Sequence, residues 1–267
     1  GVGLYANPHL PTLETKETDE FSHIRSSATM TSHQNASVNT DTNGEFLKQK
    51  IAYKDDVYAF YVNWDSNSEQ SLRKNIDTID VLIPQWLSLN EELELESNIQ
   101  PEIVELAKKN DVKIVPLIHN IQNGKWNQET VHQLLNSPEE QAKLIKKLHE
   151  LIKKQGFDGI NIDFENLNKN DRDLLPQFIK ELYTVFHAEG LSVSIDVQAA
   201  NEVFDYKELE KYVDQMMVMA YDENVDNPST IASSSWFKEN LSKLPKEKLI
   251  MGLGNYGYDW EWESQQP

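Results

Sequence analysis

Residues 157–166 read FDGINIDFEN and place three acidic side chains in a short apolar segment. The apolar residues at positions 160, 162 and 164 alternate with Asn161, Asp163 and Glu165. Successive side chains of a β-strand point to opposite faces, so the alternation predicts a strand with one apolar and one polar face. Carboxyl groups held side by side away from water shift each other's pKa, and sugar-cleaving sites need such shifts.

This segment is the fourth of seven predicted strands that alternate with helical segments from Asp56 onward. The strands are predicted at 57–64, 78–89, 113–120, 159–165, 191–198, 215–221 and 249–254, and the helices at 67–75, 101–109, 138–155, 171–188, 206–212 and 235–244. Such alternation predicts right-handed βαβ units and a parallel sheet. No glycine-rich GxGxxG or GxxxxGK[ST] follows the first strand, so a nucleotide-binding sheet has no support.

Seven units are many for an open sheet and one short of a (β/α)8 TIM barrel, which is the predicted fold. One face of each barrel strand points inward and the other points to the helices. Asn161, Asp163 and Glu165 are therefore predicted to climb the interior, with Glu165 at the C-terminal mouth, where barrel active sites lie. The chain stops at Pro267, shortly after the seventh strand. We therefore expect the eighth strand to be missing or truncated, or the barrel to close differently.

The composition limits the classes of partner. The chain has 267 residues and carries 44 acidic against 25 basic side chains, a formal charge of −19. This balance disfavours nucleic acid, whose binding depends on Lys and Arg, and also an anionic membrane surface. A neutral or cationic polymer, such as an N-acetylated sugar chain, remains compatible. No apolar run approaches the ~18 residues of a membrane span.

Cysteine is absent, which excludes disulfides, thiolate catalysis and zinc–sulfur sites. No grouping of His, Asp and Glu has metal-binding spacing, so neither a metal nor a cofactor is expected.

Residues 1–50 are rich in Ser, Thr and Asn and show no period, which predicts a poorly ordered linker or stalk. Residues 51–267 are predicted to form the barrel.

Two motifs carry a resemblance to a known family. Residues 158–165, DGINIDFE, resemble DGxDxDxE, the strand-four signature of glycoside hydrolase family 18. Residues 219–222, MAYD, resemble that family's MxYD at the end of strand six. The resemblance covers roughly residues 56 to 260. The details YVNWDSNS, PQWL, IASSSWF and GNYGYDW look like chitinase-like domains attached to polysaccharide deacetylase and glycosyltransferase modules in bacterial cell-surface proteins.

The resemblance implies a role for each motif residue. Glu165 would be the catalytic acid, Asp163 would orient the substrate's acetamide group, and Tyr221 would donate to the acetamide carbonyl. Asp158 and Gly159 would be structural. The residues expected to bind substrate are Asp222, Asn161, Tyr61, Trp86, Met219, Gln198 and Tyr256. Trp64, Trp86 and Trp260 follow strand ends and are the better candidates for stacking on sugar rings.

Asn161 departs from the family pattern, whose commonest form has Asp at this position. An amide cannot share or relay a proton from Asp163. We therefore expect Asp163 to stay more simply ionised and the pH optimum to move.

The resemblance implies a retaining, substrate-assisted hydrolase of β-1,4-linked N-acetylglucosamine polysaccharide, either chitin-like or a peptidoglycan-type cell-wall glycan. It further implies a monomer that acts outside the cell or at its surface. The alternative is a non-catalytic carbohydrate-binding barrel that presents a glycan to attached modules. Asn161 and the missing eighth strand motivate that alternative.

Overall fold

The computed structural model describes residues 56–199, 201–224, 227–242, 244–245 and 247–252. The predicted linker at 1–50, together with Tyr256 and Trp260, lies outside these ranges. The strands are β1 (Tyr58–Tyr61), β2 (Val81–Leu89), β3 (Leu95–Ser97), β4 (Lys113–Ile114), β5 (Leu117–His119), β6 (Ile121–Gln122), β7 (Lys125–Trp126), β8 (Gly159–Asp163), β9 (Ser192–Gln198), β10 (Gln215–Met219) and β11 (Leu249–Gly252). The helices are α1 (Ser66–Asn75), α2 (Pro101–Lys109), α3 (Gln128–Leu135), α4 (Pro138–Gln155), α5 (Leu174–His187), α6 (Tyr206–Leu209) and α7 (Ser234–Leu241). Short 3-10 helices cover Ile76–Thr78, Lys169–Asp171 and Glu210–Tyr212.

The principal sheet follows the chain order, β1-β2-β5-β8-β9-β10-β11, and each neighbouring pair along it is parallel. β4 extends the pairing of β2 in parallel, and β3 pairs with β2 antiparallel. Parallel neighbours linked in sequence by helical crossovers give the strand order of a (β/α)8 barrel. The carboxyl ends of the strands therefore lie at one edge of the sheet.

Several predicted boundaries shift in the structure. The third predicted strand divides into β4 and β5 at Val115 and Pro116, because proline cannot donate a ladder hydrogen bond. The fourth and sixth strands end two residues early, at Asp163 and Met219, so Glu165 and Tyr221 stand on the loops just beyond them. The sequence prediction missed β3, the β6–β7 hairpin and α3. In contrast, α2 and α4 have the predicted bounds.

An aspartate stands directly before three of the parallel strands and ties each to the neighbouring strand. In every case carboxylate Oδ2 accepts a hydrogen bond from a backbone N–H across the sheet. The pairs are Asp80 with Val57, Asp158 with Ile114 and Asp214 with Val193, each at 2.8 Å. A charged acceptor makes these bonds stronger than neutral ones, so they fix the register where the strands begin.

The two faces of the sheet pack into separate apolar layers. Ile160, Ile162 and Phe164 join the outer layer, between the sheet and the helices, where the ring of Phe164 lies 6.3 Å from that of Phe178 on α5. The inner layer consists of Val81, Ile83, Val115, Leu117 and Met217, with Tyr58, Phe60 and Ile250 packed against it. The polar face of β8 therefore continues the inner layer towards the carboxyl ends of the strands.

Gly159 is needed because β8 and β9 approach closely at their amino ends. A Cβ at position 159 would lie 2.3 Å from the backbone oxygen of Ser192 and 2.1 Å from its Oγ. Ser192 N and Oγ both donate to the carbonyl of Asp158, at 2.9 and 3.2 Å. A side chain at 159 would push apart the two strands that carry the polar interior residues.

Candidate active site

The parallel register brings inward polar residues of β5, β8 and β9 together, with methionines of β10 beside them. Asn161 stands opposite Leu117 of β5 on one side and Ser194 of β9 on the other. One layer higher, Asp163 is opposite His119, and Asp196 is opposite Met217 of β10. A further layer higher, Gln198 is opposite Met219. These side chains form a polar layer that begins beside Leu117 and Met217 of the inner apolar layer and continues towards the carboxyl ends of the strands.

Glu165 lies at the top of this layer and is the partly exposed member of a buried carboxyl pair. Its neighbour two residues back, Asp163, has no exposed surface. Burial, and then the negative charge of Asp163, raise the pKa of Glu165 to about 8, and Asp222 adds to the rise. Gln198 Nε2 donates to Glu165 Oε2 at 2.7 Å and partly offsets it. Glu165 therefore holds its proton at neutral pH while remaining open to a ligand.

Asn120 fixes the backbone of Glu165, although the sequence prediction assigned it no role. Its Oδ1 accepts from Glu165 N at 3.0 Å and its Nδ2 donates to Glu165 O at 3.0 Å. The same Nδ2 donates to the carbonyl of Asn127, also at 3.0 Å. The fully buried amide thereby supplies the hydrogen bonds that one more residue of strand pairing beyond the end of β5 would have made. The only sequence signal is an asparagine that ends an apolar strand.

Tyr221 follows β10 and lies close to the same carboxyl groups. Burial raises the pKa of its phenol well above the usual value, and the charges of Asp196, Asp163, Glu165 and Asp222 raise it further. The phenol therefore stays protonated and can donate a hydrogen bond. The structure thus brings Tyr221 and Asp222 together with Glu165, as the motif positions predict.

Left-handed residues end both motif segments. Asn166, directly after Glu165, has φ 53°, and Asp222, directly after Tyr221, has φ 59°. Asn and Asp tolerate this region better than other non-glycine residues, and residues in sparsely populated backbone regions cluster at functional sites. The ring of Tyr221 lies close to Gly252, where an added Cβ would come to 3.4 Å from its Cε1, an ordinary van der Waals distance. Both loops therefore turn sharply at the carboxyl ends of their strands.

Asp196 is a buried acid that the sequence prediction did not single out. It is 1% exposed and points to the same inner face as Ser194 and Gln198. Burial, followed by the charge of Asp163, raises its pKa well above the usual value, and Glu165 contributes further. The signal was present in SVSIDVQ, where an acid stands between Ser194 and Gln198 on one face of a strand whose other face is apolar.

Tyr61 and Trp86, expected to bind substrate, lie instead in the outer apolar layer. Each residue is 2% exposed, which leaves the Tyr61 ring no surface for a sugar, whereas Trp86 still belongs to the lining of a cavity beside the site. The Tyr61 hydroxyl donates to Gln100 Oε1 at 2.9 Å, and the Trp86 ring lies 5.8 Å from that of Phe157. In β1 the alternation gives the inner face to Phe60, and in β2 the register shifts between Gln85 and Leu87. The structure therefore contradicts the prediction for Tyr61, while the role of Trp86 in substrate binding stays a prediction.

Trp64 is the exposed aromatic residue beside the site. It is 55% exposed and lines a cavity of about 270 Å³ with Asn63, Gln85, Ser88 and His119, among others. His119 is opposite Asp163 in the β5–β8 ladder, so this cavity borders the carboxyl layer. Burial lowers the pKa of His119 to about 4, and its Nδ1 accepts from Ile121 N at 3.1 Å. The imidazole is therefore neutral, with its remaining proton on Nε2.

The described ranges hold neither a metal-binding cluster nor a membrane-spanning helix. They contain no group of three or more acidic or histidine side chains arranged to hold a metal ion. No helix within them has the length and apolar character that crossing a membrane requires.

The model of the family "Glycosyl hydrolases family 18" matches residues 56–266. The chain belongs to this family. The relatives include the Bacillus subtilis glycosylase YvbX, 26% identical over 218 residues that cover 75% of this chain and 63% of the relative. The cortical fragment-lytic enzyme of the same species is 26% identical over 170 residues, 58% of this chain and 39% of the relative. The chain thus spans less than two thirds of the length of these relatives.

Solved structures show the same fold. The spore cortex-lytic enzyme SleL of Bacillus cereus superposes with a TM-score of 0.72 at 22% identity, over 79% of this chain and 53% of that one. A chitinase from Chromobacterium violaceum superposes with a TM-score of 0.70 at 22% identity, over 77% of this chain and 70% of that one. The predicted family, its (β/α)8 barrel and the assignment to the glycoside hydrolases are confirmed.

Proposed function

We propose that this domain cleaves β-1,4-linked N-acetylglucosamine polysaccharide by a retaining, substrate-assisted mechanism. The observation that carries the proposal is Glu165, a partly exposed carboxyl whose pKa is raised to about 8 beside the buried Asp163. A general acid must hold its proton at the working pH and still reach the leaving oxygen. Glu165 meets both requirements.

The hydrogen bond from Gln198 distinguishes the two carboxyl oxygens of Glu165. Its Nε2 donates to Oε2, so that oxygen is an acceptor and the proton belongs on Oε1. Protonated Oε1 is then directed to the glycosidic oxygen, which leaves as the alcohol. The carboxylate that remains can afterwards remove a proton from the water that attacks the intermediate.

Asp163 binds the acetamide group from the side of the barrel interior. The acetamide oxygen attacks the anomeric carbon, Tyr221 donates to that oxygen, and Asp163 accepts from the acetamide N–H and balances the positive charge that develops there. Because Asp163 has no exposed surface in the free protein, the side chains around it must move apart as the sugar enters. The same burial disfavours Asp163 itself as the attacking nucleophile of a two-carboxylate mechanism.

The wider surface supports a glycan substrate. Trp64 offers an exposed ring beside a cavity that borders the carboxyl layer, as sugar-stacking platforms do. The formal charge of −19 suits a neutral or partly deacetylated polymer. Relatives carry names that refer to spore cortex lysis and to chitinases, which supports chitin-like and cell-wall glycans as the two substrate classes and action at the cell surface or outside it. We propose that the domain acts as a monomer without a cofactor.

The test compares two substrates and two proteins. Chito-oligosaccharides and purified peptidoglycan are incubated with the parent and with Glu165→Gln, and the products are analysed by mass spectrometry for length and by proton NMR for the anomeric configuration of the first products. We expect shorter, reducing-end products with retained anomeric configuration from the parent, and binding without cleavage from Glu165→Gln. Glu105→Gln, a change on the exposed face of α2, is the matched control and should cleave like the parent. Equal cleavage by Glu165→Gln would refute the mechanism, and a parent that binds both glycans and cleaves neither would favour the binding barrel.

A further inference from the structure

Asp196 is a carboxyl group that the proposed mechanism leaves unused. It points into the barrel from the middle of β9 and is 1% exposed. Within the described part of the chain, neither of its carboxyl oxygens has a hydrogen-bond partner of ordinary geometry. A buried carboxylate without a partner is among the least favourable groups a protein can contain, so its protonation state needs an explanation.

The charges around Asp196 are all of one sign. From β8 it faces Asp163 and, beyond the strand end, Glu165, and both raise its pKa. From β10 its ladder partner is Met217, which cannot ionise, and beyond that strand lies Tyr221, whose phenol remains neutral. No cation is among the described groups that act on it. A third negative charge is therefore unfavourable here.

Asn161 presents a donor to Asp196. Ser194 Oγ donates to Asn161 Oδ1 at 2.6 Å, which fixes that oxygen as the acceptor and leaves Nδ2 as the free end of the amide. Nδ2 makes no other hydrogen bond of ordinary geometry among the described residues, and its effect on Asp196 is to lower the pKa of that carboxyl. One oxygen of Asp196 therefore faces a donor.

The other side of Asp196 faces an acceptor. Ile162 pairs with Ile195 in the β8–β9 ladder, so the next residues along the same two strands are Asp163 and Asp196. Neighbouring strands lie about 4.8 Å apart and both side chains point inward, a spacing at which two carboxyl groups can approach to hydrogen-bonding distance. Two ionised carboxylates cannot donate to each other, whereas a neutral acid can donate to a carboxylate in a short, strong bond.

We propose that Asp196 is a positioning residue, held as the neutral acid, whose O–H donates to the carboxylate of Asp163. The hydrogen-bond chain then runs from Ser194 through Asn161 and Asp196 to Asp163, and every donor in it has an acceptor. The amide at position 161 fits this chain, because it donates to the carbonyl oxygen of Asp196. The proton stays on Asp196 throughout. Asp196 therefore neither transfers a proton nor forms a covalent bond during the reaction.

The inference rests on the proposed function, because Asp163 matters to catalysis only as the acetamide partner. Asp196 would hold one oxygen of Asp163 and leave the other for the acetamide N–H. Asparagine at 196 can imitate the neutral acid, since its Oδ1 can accept from Asn161 and its Nδ2 can donate to Asp163. Alanine can do neither.

The experiment compares Asp196→Asn and Asp196→Ala in the 267-residue chain. With chito-oligosaccharide at saturation, Asp196→Ala should lose roughly 10- to 100-fold in kcat, the effect of one hydrogen bond to a charged group, while Asp196→Asn should retain most of the rate. Asp196→Asn should keep its activity to a higher pH than the parent, because Asp196 of the parent ionises at alkaline pH. An Asp196→Asn protein that is folded and as slow as Asp196→Ala would overturn the proposal.

A second measurement decides the protonation state without any activity. Infrared difference spectra at neutral pH should show a protonated carboxyl band in Glu165→Gln, where residue 165 cannot contribute one, that the double variant Glu165→Gln/Asp196→Asn lacks. The absence of such a band from Glu165→Gln would refute a neutral Asp196, and its presence there together with an inactive parent would refute the proposed function alone. Asp171→Asn is the matched control, since Asp171 is also 1% exposed but pairs with His132 outside the barrel interior. It should lower stability and leave both the band and the pH profile of kcat unchanged.

Discussion

Replacing Glu165 with glutamine should make the protein more stable as well as inactive, and the gain should depend on pH. The folded chain raises the pKa of this carboxyl from 4.5 to about 8 through burial and the charge of Asp163. Below pH 4.5 the group is protonated in both the folded and the unfolded chain, so it does not affect the free energy of unfolding. Between pH 4.5 and about 8 the unfolded chain releases the proton and the folded chain keeps it. Stability is therefore lost as the pH rises through this window.

The size of the effect follows from the shift. Each pH unit in the window corresponds to about 1.4 kcal/mol for a fully shifted group, and neutral pH lies about two and a half units above 4.5. Because Glu165 is partly exposed, solvent screens some of this, and we expect roughly 2–3 kcal/mol by pH 7. Glutamine keeps the shape and does not ionise, so Glu165→Gln should escape this loss.

The assay is urea unfolding followed by tryptophan fluorescence, for which the chain has 6 Trp. The parent, Glu165→Gln and the exposed control Glu105→Gln are each measured at about pH 5, 6, 7 and 8. The difference between Glu165→Gln and the parent should grow steadily across this series, and the control should follow the parent. A difference that is constant with pH would refute the raised pKa of Glu165, whatever its effect on activity.

Four further predictions concern single residues. Asn120→Ala should lower kcat at least about tenfold and the free energy of unfolding by about 2–3 kcal/mol, because it frees the backbone on both sides of the acid; unchanged kinetics in a folded variant would contradict the clamp. Gln198→Met removes the hydrogen bond that lowers the pKa of Glu165, so the alkaline limb of the kcat profile should move to higher pH, and a move to lower pH would contradict the assignment. Trp64→Ala should raise KM for long oligosaccharides about 3- to 10-fold with little change in kcat, whereas a loss confined to kcat would exclude a stacking role. Gly159→Ala should lower stability by about 3 kcal/mol or more in thermal and urea unfolding, because β8 and β9 must separate, and near-parent stability would show that the strands can yield there.

A comparison of the predicted and observed strands shows which elements a local sequence pattern can predict. The alternation in residues 159–165 is visible without a structure, and it assigned the two faces of β8 correctly. The elements that were missed, β3, α3 and the β6–β7 hairpin, are short or carry weak periodicity. They form because the barrel supplies neighbours: β3 pairs with Leu87 to Leu89 of β2, and α3 buries Val131 and Leu134 against the core. Local sequence has no access to such neighbours.

The burial of Tyr61 and Trp86, which the sequence did not predict, has the same origin. An aromatic residue at the end of a strand can point to the mouth or to the helices, and its type does not decide which. The direction depends on the face that the residue takes in the register, and in β2 the register shifts between Gln85 and Leu87. Among the described residues, Trp64, beyond the end of β1, is the aromatic residue that stays exposed.

The sequence by itself determined the strand–helix alternation, the inward polar face of 161–165 and, through two motifs, the family and the proposed acid. Those features are periodic or contiguous, so a strand's own geometry expresses them. Only the tertiary structure decided which residues surround the acid. Asn120, Gln198 and Asp196 come from other strands, and the β5–β8–β9 register sets them beside Asp163 and Glu165. Burial in this packing raises the pKa of Glu165, and the same packing places Asp196 among like charges. A linear sequence pattern expresses neither effect.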